Sequence, residues 1–205
     1  MNATGQPEDT TDLDPGDALR FLAARVAAEG PPLAVVSQKP DAGPVLGMLA
    51  AAGSRTSANP GRYAFVLEAV REGYLCHYET SRVLEDPDPD LALLAGDLFY
   101  AIGIRALAEL EDVESVRLLS ELIRVSAELR SQGRCEDSGA VWLATVMALA
   151  CGPDDEYDQL IAALARGEDG SREALESWSQ CCGNENGLAR NLREAREAIH
   201  SAFDT

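Results

Sequence analysis

Lysine is almost absent from this chain. Of its 17 basic residues only Lys39 is Lys and the rest are Arg, so lysine-borne phosphate binding and Schiff-base chemistry have little to rest on. Basic charge is scarce as a whole: those 17 residues face 35 acidic ones, a formal net charge of −18, and the acids run along the chain rather than gathering in a tail. That balance argues against nucleic acid and anionic membrane surfaces as partners. No uninterrupted apolar run is read as a membrane span, and Met1 to Asp14 lacks the apolar core of a signal peptide. Cysteine is sparse and odd in number, with no CxxC; Cys76, Cys135 and Cys151 fall in helical patterns as small hydrophobes, and a reducing cytoplasm is expected. Cys181-Cys182 has no nearby His, so it is read as packing rather than redox or metal chemistry. Also missing are a Walker or dinucleotide-binding glycine loop and a G-x-S-x-G elbow.

What remains is globular and helical. Hydrophobic residues make up 46% of the chain and charged ones 25%, which excludes general disorder and allows a real core. The expected organisation is a disordered acidic lead over residues 1–13, then a single all-α domain over 14–205. Asp14-Pro15 supplies a helix cap and a first-turn proline, with Leu19, Leu22 and Val26 at helical spacing up to Gly30. Pro31, Pro32, Pro40, Pro44 and Pro60 break the next stretch around one short helix, Val45 to Ala52. From Gly61 an apolar period runs to about Leu84. Asp88-Pro89-Asp90 then opens a helix faced by Leu91, Leu94, Ala95, Leu98 and Ile102; after a break at Leu110-Glu111-Asp112 a second helix runs to Gln132. So short a connection predicts that these two are antiparallel neighbours. Further helices are expected at Asp137 to Cys151, Asp154 to Arg166, Ser171 to Cys182 with Gly183 as its stop, and Gly187 to Phe203. No strand alternation and no internal repeat compete.

Leu94-Ala95-Gly96-Asp97-Leu98-Phe99-Tyr100, with Leu107-Ala108-Glu109-Leu110-Glu111-Asp112 after it, carries a family resemblance. The stretch Tyr74 to Gln132 resembles trans-isoprenyl diphosphate synthases, and more closely the non-catalytic small component of two-component heptaprenyl diphosphate synthases. Val141 to Cys151, with Thr145, is loosely similar to a later Lys-Thr helix of that family, although the Lys is absent. The resemblance implies a helical bundle, isoprenoid-synthase-like and shortened, with the LAGD helix beside a prenyl cavity. On this reading His77, Glu79, Arg82, Gly96, Asp97 and Tyr100 line that cavity.

Prenyl transfer must neutralise a departing diphosphate, which catalytic members do with Mg²⁺ on two aspartate-rich helices. Where the first aspartate pair belongs, this chain reads His77-Tyr78-Glu79-Thr80-Ser81-Arg82, and Glu79 alone cannot hold such a metal cluster. A literal DDxxD stands at Asp154, Asp155 and Asp158, but behind Gly152-Pro153 it reads as an acidic helix start. Asp86, Asp88, Asp90 and Asp97 match a calcium-loop frame in part, yet Leu91 replaces its glycine and Pro87 and Pro89 leave no room for it. His77 has no partner at catalytic spacing, and His200 suits a helix C-terminus.

The leading expectation is a non-catalytic or regulatory subunit that pairs with a catalytic prenyl diphosphate synthase. Its partners would be a helical protein in a hetero- or homo-oligomer, and a prenyl diphosphate or prenyl chain; its cofactor, none. Two alternatives stand beside it: an all-α interaction or scaffold protein without prenyl chemistry, and a Mg²⁺-dependent prenyltransferase using the acids at 154–158.

Overall fold

A computed structural model describes residue 10, residues 12–33 and residues 43–203, with side chains as far as residue 199. The expected disordered lead therefore lies outside the described residues except for Thr10, Asp12 and Leu13, and so does the side chain of His200. Among the described residues the fold is all-α, with no strand. Two compact units divide it: Met1–Met48 with Asn59–Asp112, and Leu49–Ala58 with Val113–Thr205.

In the first unit, Asp14 caps a 3-10 turn at Pro15–Asp17 by accepting from Gly16 N at 2.8 Å, and α1 (Ala18–Ala27) follows. Helix α2 (Val45–Ala51) begins in this unit. Its centre is α3 (Pro60–Tyr78), against which α1 and α4 (Pro89–Ala108) pack. Helix α3 is buried from Tyr63 to Cys76 on every side. A helix with no solvent face needs no amphipathic stripe, which is why polar Glu68, Arg71 and Glu72 can sit within an apolar period.

Helix α3 ends at Tyr78 rather than near Leu84. Glu79 leaves the helical region with φ −145° and ψ −145°, and the chain folds back so that Ser81 Oγ and Arg82 N donate to Glu72 Oε2 at 2.8 and 3.1 Å. Helix α4 then starts as its sequence requires: Asp88 accepts from Leu91 N at 3.0 Å and Pro89 stands in the first turn.

Within this unit α4 runs antiparallel to α3, while α5 (Val113–Ser131), to which the short connection after α4 had pointed, belongs to the other unit. Glycines explain the choice. A Cβ on Gly96 would meet His77 Nε2 at 2.7 Å, and one on Gly103 would meet Val70 Cγ2 at 3.1 Å and Val66 O at 3.3 Å. As the number rises along α4 its counterpart on α3 falls, so the helices run antiparallel with their backbones close.

The second unit is built on α6 (Ser138–Cys151), buried from Ala140 to Ala150, with α5, α7 (Asp155–Ala165), α8 (Ser171–Glu185) and α9 (Ala189–Phe203) around it. Helix α8 runs past Gly183, the expected stop, because that glycine packs against Leu192 of α9, whose Cδ2 would lie 3.0 Å from an added Cβ. The segment Leu49–Ala58, which begins in the last turn of α2 and continues into the loop after it, belongs here too. Arg55 N donates to Ala150 O at 3.0 Å, and its guanidinium reaches Ser115 Oγ at 2.9 Å and Leu149 O at 3.2 Å.

Candidate functional site

The six residues expected to line a cavity all fall in the first unit, in two groups at the C-terminal end of α3. The first group joins α3 to the LAGD helix. His77 stacks on Tyr100 with ring centres 5.4 Å apart and planes 16° from parallel, and its Nε2 lies 3.3 Å from Asp97 Oδ1. Gly96 provides the room in which the His77 ring sits, and Gly73 does the same for the Tyr100 ring. Burial, with Tyr78 and Tyr74 nearby, pushes the Tyr100 phenol above its usual range, so it stays protonated. Asp97 is exposed, and its contact with His77 is a surface one.

The second group gathers around Arg82. Glu68 and Glu72 are fully buried, one helical turn apart on α3. Arg82 spans both, with Nη2 on Glu68 Oε2 at 2.6 Å and Nε on Glu72 Oε1 at 2.6 Å. The remaining carboxylate oxygens are also occupied: Gly47 N donates to Glu68 Oε1 at 2.7 Å, and Ser81 Oγ and Arg82 N take Glu72 Oε2. Burial works against the Arg82 charge, but Glu68 and Glu72 outweigh it and hold the guanidinium above its ordinary range. Arg71 lies over the Tyr74 ring at 5.4 Å; burial lowers its pKa, with the Glu79 charge opposing.

Sequence reasoning named Arg82 but missed the two acids that hold it. The signal was available: Glu68 and Glu72 are spaced i, i+4 inside a run too apolar for a solvent face. Chemically the group is a clamp whose donors and acceptors are matched to one another.

The acids of the DDxxD run diverge. Asp154 caps α7 by accepting from Tyr157 N at 2.7 Å and also takes Trp178 Nε1 at 3.2 Å. Asp158 turns to Arg117, 3.0 Å away. Among the described residues no three His, Cys, Asp or Glu side chains converge as a metal-binding group.

The outer side of α4 is the other notable surface. Leu94 is 68% and Leu93 49% exposed, with Leu91 and Leu98 partly so, while Ala95, Phe99, Ile102 and Ala106 bury the opposite side. By length and composition α4 is long and apolar enough to cross a membrane, with mean hydropathy 1.6 and 39% of that stretch buried, although Asp90, Asp97 and Arg105 keep it from being an uninterrupted apolar run. No family profile, curated protein or solved structure matches the chain.

Proposed function

We propose that the chain is a non-catalytic, isoprenoid-synthase-like subunit that pairs with a helical protein partner through the outer face of α4. The observation that carries this reading is the exposure of Leu93 and Leu94 on a helix whose other side is already packed on α3. Contiguous exposed leucines on a helix mark a docking surface, since their burial contributes roughly 25 cal/mol for each Å² removed from water. A helix laid against this stripe would cover it at i, i+3, i+4 spacing.

The LAGD resemblance supplies the partner class, a catalytic prenyl diphosphate synthase, and the ligand class, a prenyl chain. Absence of catalysis by this chain is supported by where its acids go: Asp154 and Asp158 are committed to Trp178, Tyr157 and Arg117. The reading as a Mg²⁺-dependent prenyltransferase at Asp154, Asp155 and Asp158 therefore draws the least support. A scaffold role without prenyl chemistry is favoured by one observation, that Arg82 is consumed by Glu68 and Glu72 rather than presented to a diphosphate.

Affinity capture of the full chain, followed by mass spectrometry, tests the proposal. The wild-type chain is expected to recover a prenyl synthase, and the Leu94→Glu, Leu98→Glu double variant to lose it while keeping its circular dichroism spectrum. Recovery that survives the double substitution would sink the assignment of α4. A helical partner without prenyl-transfer chemistry would favour the scaffold reading, and sedimentation with phospholipid vesicles through the same leucines would replace the protein partner by a membrane.

A further inference from the structure

Helix α5 has a second face that its own unit leaves open. Leu118, Leu122, Val125 and Leu129 form its buried side, and α6 and α7 are the long helices it meets there. On the other side Val113, Val116, Ser120, Ile123 and Ala127 follow one another at steps of three and four residues, which places them on one strip. Val113 is 79% exposed, Ser120 is exposed, and Val116, Ile123 and Ala127 are partly so. Beside the strip runs a ladder of charge. Arg117 lies 2.7 Å from Glu114 and 3.8 Å from Glu121, and Arg124 lies 3.0 Å from Glu121 and 2.6 Å from Glu128. All five side chains keep contact with water, so these pairs within the helix hold them only weakly. Helix α5 carries three acids and three arginines and is neutral, in a chain of formal net charge −18. Self-repulsion of so acidic a chain is relieved where acids and arginines are matched, as they are here.

We infer that this face of α5 is the interface of a homodimer, in which a second copy of the chain lies antiparallel along it with the two-fold axis beside Ile123. The inference is independent of the partner reading, because it uses neither α4 nor the LAGD residues. The order of the charges selects the orientation. From Arg117 through Glu121 and Arg124 to Glu128 the sign alternates, and the same run reversed has the opposite sign at every step. Antiparallel helices therefore bring Arg117 level with Glu128 of the second copy, and Glu121 level with Arg124 of the second copy, each pair occurring twice by symmetry. A parallel pair would bring every charge level with its own counterpart, which like-charge repulsion opposes.

The apolar strip supplies the centre of the contact and the charges its edge. At the axis Ile123 meets Ile123 of the second copy, and small Ser120 and Ala127 on either side of it let the two backbones approach closely. Arg117 is steadied at the edge of the face by Asp158 of α7, 3.0 Å away. A charge already held in place loses less freedom when a further partner arrives.

Sedimentation equilibrium of the full chain at about 100 μM in physiological salt is expected to give twice the chain mass, and a monomer there overturns the proposal. Glu121→Arg brings arginines level across the axis and Arg124→Glu brings acids level, so each variant alone is expected to weaken the dimer about tenfold or more. Mixing the two variants is the sharper test, because each supplies the sign that the other lacks at both positions. The mixture is expected to recover a dimer holding one copy of each, read by native mass spectrometry. A dimer indifferent to both substitutions, or a mixture that stays monomeric while each variant keeps the wild-type circular dichroism spectrum, overturns the assignment. The Leu94→Glu, Leu98→Glu variant is expected to remain dimeric, whereas a monomer would place the contact on α4 instead. Hydrogen exchange of the wild-type chain, compared between dilute and concentrated samples, needs no substitution: slowing is expected in α5, and slowing only in other helices overturns the proposal.

Discussion

Arg82 is the cation shared by the two buried acids of α3. It neutralises two fully buried carboxylates, and truncating it would leave both without their cation. Arg82→Met should therefore cost about 3–5 kcal/mol, the range for removing one partner of a buried pair. A fall in the urea midpoint with unchanged slope is the expected measurement; a change under about 1 kcal/mol would mean that the acids find other donors. Asp97→Asn is the matched control, because its exposed contact with His77 is worth at most about 1 kcal/mol. At this scale His77, Gly96, Asp97 and Tyr100 were named only among six residues that the family resemblance puts around a cavity; that these four meet is what the structure adds. Glu68 and Glu72 showed themselves only as an i, i+4 pair inside an apolar run; which cation they hold is a contact across the turn after Tyr78 that spacing does not state.

Among elements, the α3–α4 pair is set by glycine rather than by large side chains. Gly103 faces Val70 and the Val66 carbonyl, so Gly103→Leu must push the helices apart and should cost roughly 1–3 kcal/mol or more, as overpacking does. Leu94→Ser, on the exposed side of the same helix, should stay within about 0.5 kcal/mol. Thermal unfolding of the two variants checks the contrast, and equal losses would show that α4 is buried on both sides. Helix starts were legible wherever a cap states itself: Asp14-Pro15, Asp88-Pro89 and Asp154 all act as their side chains suggest. Helix ends were less so. Gly183 looked like a stop but serves as a gap for Leu192, and the end of α3 is fixed by a tertiary bond to Glu72 that no local pattern encodes. That α4 packs along α3 was not legible for the same reason, since loop length reports neighbours in sequence and not which faces fit.

For the molecule as a whole, composition was the most readable level: an apolar fraction of 46% with helical periods throughout gives an all-α protein. The division into two units was not visible, because it does not follow the order of the chain. Residues Leu49–Ala58 are embedded between segments of the first unit yet belong with the second. Arg55, in that loop, meets Ala150, Leu149 and Ser115, and Gly53 lies so close to Ala150 that a side chain there would strike its carbonyl.

The placement of that loop bears on how the chain can be dissected and on the order in which it is made. A fragment starting at Val113 would carry α5 to α9 but would expose the Ala150 and Leu149 carbonyls and open a slot beside α6. Such a fragment is expected to melt broadly and to bind a dye for exposed apolar surface, whereas a chain that retains Leu49–Ala58 melts cooperatively; a sharp transition from the fragment alone would show the loop to be dispensable. During synthesis the ten residues leave the ribosome before α6 exists, so the second unit cannot close until α6 arrives to meet a segment made long before it.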